Sequence, residues 1–264
     1  MPSSTELLAL FDRVLREHAR PDGPGVRVER AGPVVRQTGT ADDWNGVVWS
    51  DPALDAPGAE AAVAAQVAHY TALGHDLFEW KLYGHDRPAA LADRLREAGF
   101  VPEPSETVLV APVERLSTAV AAPAGIEVRE VRDAAGVRLM AAAHRAAFGE
   151  DPGRLLHRML ARLDEAPEEF VGVVALADGE PVSAARMELL PGTGFAGLWG
   201  GGTAPRWRGR GVYRALVAHR AAIAAARGYR YLQVDATADS APILLRLGFT
   251  ALTTTTPYVY RITP

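Results

Sequence analysis

The sequence predicts an α/β protein made of two similar mixed-sheet α/β units in tandem, the first truncated. Three observations predict it. Apolar runs of strand length alternate with longer Ala-rich stretches of helical spacing through the 264 residues. A pattern recurs: Leu73-Gly74 before a strand and Gly99-Phe100 after a helix correspond to Arg227-Gly228 and Gly248-Phe249, with Trp49 and Trp199 ending comparable strands upstream. Residues 119–125 (Ala, Val, Ala, Ala, Pro, Ala, Gly) read as a linker between an N-terminal domain at 1–118 and a C-terminal domain at 126–264.

In the first half, residues 6–17 have helical spacing, broken by Pro21, Gly23, Pro24 and Gly25. Residues 26–29 and 33–37 flank Ala31 and Gly32 as a hairpin, and 44–50 reads as a strand. Two prolines and two aspartates make 51–58 a loop, after which an Ala-rich helix at 59–73 closes at Gly74. A strand at 77–83, a helix at 88–98 and a strand at 107–110 complete this half.

The second half opens with a strand at 126–131 and a helix at 134–148 that Asp133 caps. Residues 149–153 break it before a helix at 154–163. Strands at 170–176 and 182–190 join through Asp178 and Gly179, a hairpin pair. A strand at 195–203 enters the loop Arg206, Trp207, Arg208, Gly209, Arg210, Gly211, and a helix from Val212 to Arg227 follows. Its apolar stripe is Val212, Leu216, His219, Ile223 and Ala226, which makes His219 a packing residue and leaves Arg214 and Arg220 off the stripe. A strand at 231–235, a short helix at 240–247 and a β-rich tail at 250–262 end the chain, with Pro257 expected at an edge or bend.

Composition narrows the function. With 48% hydrophobic residues the chain can fill packed cores, and no apolar run reaches the length of about 20 residues that spans a bilayer, so we expect a cytoplasmic protein with no membrane partner. The absence of cysteine removes disulfides, thiolate metal sites and a cysteine nucleophile. A net charge of -4 gives no global attraction to nucleic acid, so the basic cluster at 206–210 is local. Lys81 is the only lysine.

That cluster carries the chemistry. Glycines on both sides of Arg210, where a strand hands over to a helix, let the backbone turn sharply and expose N–H groups. The helix adds the positive end of its dipole, and Arg206, Arg208 and Arg210 add full charges, which suits a diphosphate. In the first half Asp51, Pro52, Ala53, Leu54 and Asp55 occupy the corresponding stretch, where acidic side chains repel phosphate.

Arg206-x-x-Gly209-x-Gly211 after a strand, with Gly248-Phe249 after the following helix, resembles the GNAT superfamily of N-acetyltransferases. The resemblance covers residues 125–264 and implies two GNAT-like units in tandem, the N-terminal one a degenerate copy. It implies acetyl-CoA as acyl donor and no metal, with Arg206, Arg208, Gly209, Arg210, Gly211 and Val212 at the pyrophosphate, and Gly202, Thr203 and Ala204 along the pantetheine arm. The family's Asn and Tyr near the last helix are replaced here by Thr237 and Leu244. The usual proton donor to the leaving thiolate is therefore missing, and Ser240 is a candidate substitute, with a helix N-cap role as its alternative.

Acetylation of an amine needs a base or water route for its proton. Glu188 and Asp235 are candidate bases, and Glu150 and Asp151 could draw in a small-molecule amine. The chain would work as a monomer or homodimer. Two rival readings stay open. Gly209-x-Gly211 with Asp235 24 residues on is close to a dinucleotide fingerprint, although Arg214 stands where its third glycine belongs. A non-catalytic acyl-CoA sensor would explain Leu244.

Overall fold

The computed structural model describes residues 2–149 and 151–262. The chain begins with α1 (Ser4–Phe11), capped by Ser3 and continued by a π-helical turn over Asp12–Glu17. It proceeds through β1 (Arg27–Ala31), β2 (Val34–Thr38), β3 (Gly46–Ser50), α2 (Ala56–Ala72), β4 (Leu77–Tyr83), α3 (Leu91–Glu97), β5 (Val101–Pro102) and β6 (Glu106–Pro112). Then come β7 (Ile126–Val131), α4 (Ala134–Phe148), α5 (Gly153–Glu165), β8 (Phe170–Ala177), β9 (Glu180–Leu190) and β10 (Phe195–Thr203). The last elements are α6 (Val212–Ala226), β11 (Tyr231–Ala236), α7 (Ala241–Arg246) and β12 (Thr250–Arg261). No helix among the described residues is long and apolar enough to cross a membrane.

Contacts divide the chain into two compact units, but not at residues 119–125. One unit is Met1–Val108 with Ala236–Ala241 and Ala251–Pro264; the other is Leu109–Asp235 with Pro242–Thr250, and it contains the expected linker. The reason is β12, which pairs antiparallel with β4 from Thr255↔Tyr83 to Arg261↔Leu77 and so gives the first unit a strand from the far end of the chain. Pro257, expected at an edge or bend, lies inside this strand opposite Lys81, with β5 paired on its other side. Residues 103–105, between β5 and β6, are irregular there, so the missing proline N–H breaks no ladder, and Glu103 N–H donates to the Pro257 carbonyl at 2.8 Å.

The first unit orders its strands β1-β2-β3-β4-β12, with β3 and β4 parallel. Its core gathers Val34, Val47, Val63, Tyr70, Phe78 and Trp80, with Tyr70 stacked on Phe78. α2 starts three residues before the sequence reading because the Asp55 side chain accepts from Gly58 N–H and Pro57 suits a first helical turn. The second unit orders its strands β6-β11-β10-β9-β8-β7, with β10 and β11 parallel and β10-β9-β8-β7 antiparallel. α4 and α5 cover one face of β8 and β9 through Met140, Ala143, Met159, Phe170 and Val174. α6 departs from the expected stripe: Val217, Ala218, Arg220, Ala221 and Ala224 are buried, whereas Ile223 is only half-buried and Ala226 is exposed. Small alanines widen the face that can be covered, and that takes Arg220 inside.

Candidate acyl-donor and acceptor site

The basic loop folds as its glycines require. After β10 the chain makes a 3-10 turn over Pro205–Trp207, and Gly209 and Gly211 then adopt φ of 73° and 86°, a region costly for residues with a Cβ. α6 follows at once. No side chain caps it, and its first helical bond runs from Ala215 N–H to Gly211 O at 3.1 Å, so the first-turn N–H groups at and after Val212 face outward without a side-chain acceptor. A helix start of this kind is suited to an anion.

The arginines divide the labour. Arg206 and Arg210 are exposed, with the Arg210 guanidinium 4.9 Å from the centre of the Trp207 ring. Both border an open pocket of about 300 Å³ that Ala177, Asp178 and Glu180 of the β8–β9 hairpin complete. Arg208 instead donates through Nε to Thr203 O and through Nη2 to Ala147 O, both at 3.0 Å, and thereby ties the loop to β10 and to the end of α4. An arginine outside the loop motif comes close: Nη2 of Arg214 lies 3.5 Å from where a Cβ on Gly211 would stand.

Behind the loop, β10 parts from β11. Their parallel pairing covers Phe195↔Tyr231 to Gly197↔Gln233, while β10 runs on to Thr203. On its other edge β10 is irregular against β9 between Trp199 and Gly202, with Gly200 at φ 57°. The expected arm-binding residues are already engaged in part: Ser183 Oγ donates to Gly202 O at 2.7 Å and sits 2.8 Å from Thr203 Oγ1, and Ala204 N–H donates to Val182 O at 2.9 Å. The parting between strands therefore begins at the bulge, residues 198–201, earlier than the sequence suggested.

The two faces of the bulge differ. Toward α6, the Tyr213 ring edge lies 2.8 Å from where a Gly201 Cβ would stand, and burial pushes its hydroxyl pKa up. Arg220 lies deeper, donates to Leu216 O and Arg186 O, and has no carboxylate in ion-pair range among the described residues. Burial is the main cause that pushes its pKa down to about 10. Toward α4 and α5, Arg186 of β9 stands in register with Gly172 and Trp199. Its Nε pairs with Glu188 Oε1 at 3.2 Å, and it lines a cleft with Met140, His144, Leu155, Met159, Ala184 and Gly200.

The remaining sequence candidates fall as follows. Asp151 forms an exposed ion pair with Arg145 at 3.1 Å, and Glu150 lies outside the described residues. Asp235 accepts from Gln233 Nε2 at 2.7 Å. Ser240 Oγ turns back onto Thr237 O at 3.3 Å, a turn bond and no cap of α7, and Leu244 is fully buried. His219 is half-buried on α6. Arg186 was missed, although its spacing of two from Glu188 on one strand places both on the same face. No group of three or more His, Cys, Asp or Glu among the described residues is arranged to hold a metal.

Residues 136–249 match the family described as Acetyltransferase (GNAT) family. The matched segment spans less than half of the 264 residues. It contains the bulge, the parting strands and the uncapped helix start. Solved structures extend the likeness of fold to the whole chain. A GCN5-related N-acetyltransferase from Kribbella flavida is 19% identical, with 98% of this chain and 96% of that one covered at a TM-score of 0.71. A functionally unknown conserved protein from Staphylococcus epidermidis is 12% identical over 94% and 97% at 0.69. A tandem GNAT protein from the clavulanic acid biosynthesis pathway is 13% identical over 99% and 95% at 0.62. No curated protein matches the chain.

Proposed function

We propose that this protein is an N-acetyltransferase that moves an acetyl group from acetyl-CoA to a primary amine of a small molecule, by direct attack in a ternary complex. The observation that carries the reading is the uncapped start of α6, entered through two left-handed glycines and bordered by Arg206, Arg210 and Arg214, directly after a strand that has parted from its parallel neighbour. Backbone N–H groups and arginines there would hold the pyrophosphate, and the bulge of β10 would lie along the arm. Acetyl-CoA supplies an activated acyl carbon: a C–N bond forms, the C–S bond breaks, and one proton passes from nitrogen to sulfur overall.

The chain's own residues then have defined tasks. Glu188, held by Arg186, takes the amine's proton directly or through water. Leu244 offers no hydroxyl, so the leaving sulfur is protonated from water or from Ser240. Placement of amine and acyl carbon side by side supplies most of the acceleration. The first unit serves as a degenerate copy without cofactor. We place the protein in the cytoplasm, acting alone or as a homodimer, without nucleic acid. A titration panel tests the reading: CoA binds with one site per chain and NAD does not. Equal binding of NAD, or none of CoA, rejects it. Tight acetyl-CoA binding without transfer to any amine of a broad panel would favour a sensor, the reading that Leu244 supports.

A further inference from the structure

The bulge of β10 is held from the α6 side of the sheet. Arg186 of β9 stands opposite Trp199, the last register pair before the ladder shifts to Gly202↔Ala184. Its carbonyl is met by a side chain: Nη1 of Arg220, on α6, donates to Arg186 O at 2.9 Å. Arg220 Nε donates to Leu216 O at 3.1 Å, one turn back on its own helix, which fixes the direction of the guanidinium fork. A second α6 residue meets the same stretch, since the Tyr213 ring edge lies 2.8 Å from where a Gly201 Cβ would stand.

Arg220 is 1% exposed, on a helix face that also buries Leu216, Val217, Ala221 and Ala224. An aliphatic residue would fill that place without taking a cation out of water. It would not reach from helix to strand and give a buried carbonyl its donor where the ladder is interrupted. The same helix presents the uncapped first turn at Val212. Arg220 follows little more than two turns later, about 12 Å along a rigid element, so α6 sets both the helix start and the bulge.

We propose that Arg220 is a positioning residue for the acyl donor: through the Arg186 carbonyl it holds the β10 bulge in the shape that receives the donor's arm, while the helix that carries it fixes the phosphate end. The assignment rests on the acyl-transfer reading for what fills the bulge. Arg220 moves no proton and acts through the strand alone.

The test is calorimetry with CoA and with 3′-phosphoadenosine 5′-diphosphate, which is CoA without its pantetheine arm. The unaltered protein should bind CoA more tightly. Arg220→Met removes both donors at similar length and should weaken CoA by about tenfold, the size of one charged hydrogen bond, while the armless nucleotide changes by less than about threefold. Arg220→Lys, with one ammonium for two carbonyls, should fall between. Gly201→Ala leaves the buried cation in place and disturbs the bulge from the Tyr213 side, so it should split the two ligands in the same way. Thermal melts verify that each variant is folded. Folded variants that bind CoA like the unaltered protein, or that lose both ligands equally, overturn the assignment, the second outcome making Arg220 a packing residue only. CoA bound no better than the armless nucleotide also overturns it and leaves the phosphate site standing. Binding of neither ligand to the unaltered protein rejects the acyl-donor reading, and this proposal with it.

Discussion

The parallel strand pairs of the two units invite comparison, because each is followed by a helix and they treat that position in opposite ways. In the second unit β10 leaves β11 beyond Gly197, and α6 begins uncapped. In the first, β3 pairs with β4 at Gly46↔Glu79 and Val47↔Trp80, and the next carbonyl, Val48 O, accepts from Arg16 Nε at 3.1 Å. Arg16 is 2% exposed, forked on Asp86 at 2.7 and 2.8 Å, paired with Asp12 at 2.7 Å and stacked 3.7 Å over the Tyr83 ring. The following helix start is also filled, since the Asp55 carboxylate accepts from Gly58 N–H at 2.8 Å. A protein cation and a protein anion thus fill in the first unit the places where, on the proposed reading, the second would hold a ligand.

The hardest way to break the comparison is to remove the plug. Arg16→Ala leaves Asp86, itself 6% exposed, without its cation, and the expected cost is about 3–5 kcal/mol in urea unfolding. No CoA site should appear in any fraction that stays folded. The same cluster sets an acid limb. Burial pushes the Asp12 carboxyl up, but hydrogen bonds from His85 and Arg16 outweigh it and hold its pKa below the ordinary value. A depressed carboxylate stabilises fully above its unfolded pKa, about 3.9, and loses that contribution as pH falls through the lower folded value. Asp12→Asn should therefore flatten the fall of stability below about pH 4 relative to the unaltered chain; an unchanged acid limb would show that the ion cluster does not set it.

Next in size is the effect of ligand on the open site. CoA at about 100 times its dissociation constant should stabilise the protein by about 2.7 kcal/mol. Arg210→Glu should abolish this by placing a carboxylate at the phosphate, and Arg208→Gln should weaken it less and lower the unliganded melting temperature, because Arg208 is bonded to Thr203 O and Ala147 O. Thermal melts of the two variants, with and without CoA, separate the roles. An equal ligand effect in both would mean that Arg208 also meets the phosphate.

These contrasts show what the sequence could reveal. The loop at 206–211 was legible because glycine at positive φ and a helix start leave a local signature, and so was the α/β alternation. Arg16 was not legible as a plug, since Val48 and Asp86, which it meets in the fold, lie 32 and 70 positions further along the chain. Arg220 was misread for a related reason: periodicity treats arginine as a surface residue, and only the carbonyls of Leu216 and Arg186 make its burial tolerable. The return of β12 to the first unit was hidden as well, because strand propensity says nothing about which strand a distant partner will be.

A smaller effect concerns the proton for the departing thiol. A positioned general acid contributes about 10²- to 10⁴-fold, and Ser240 is bonded back to Thr237. Ser240→Ala should therefore change turnover by less than about tenfold, roughly 1.4 kcal/mol in the barrier, with water as the donor. A loss of about 10³-fold with CoA affinity intact would assign the proton to Ser240.

The smallest expected effect is the sharpest on the comparison itself. Asp55→Ala removes the cap of α2 and should destabilise the protein by about 1 kcal/mol, since the Gly58 N–H loses its acceptor. The substitution also empties the one anionic position at that helix start. If the cap alone excluded ligand, a second CoA would then bind. We expect the stoichiometry by titration calorimetry to stay at one, because residues 51–58 contain no arginine and no Gly-x-Gly, and because Arg16 still closes Val48 O. A second site in Asp55→Ala would mean that a single carboxylate separates the two units' behaviour; one site in both this variant and its combination with Arg16→Ala would place the difference in the loop sequence itself.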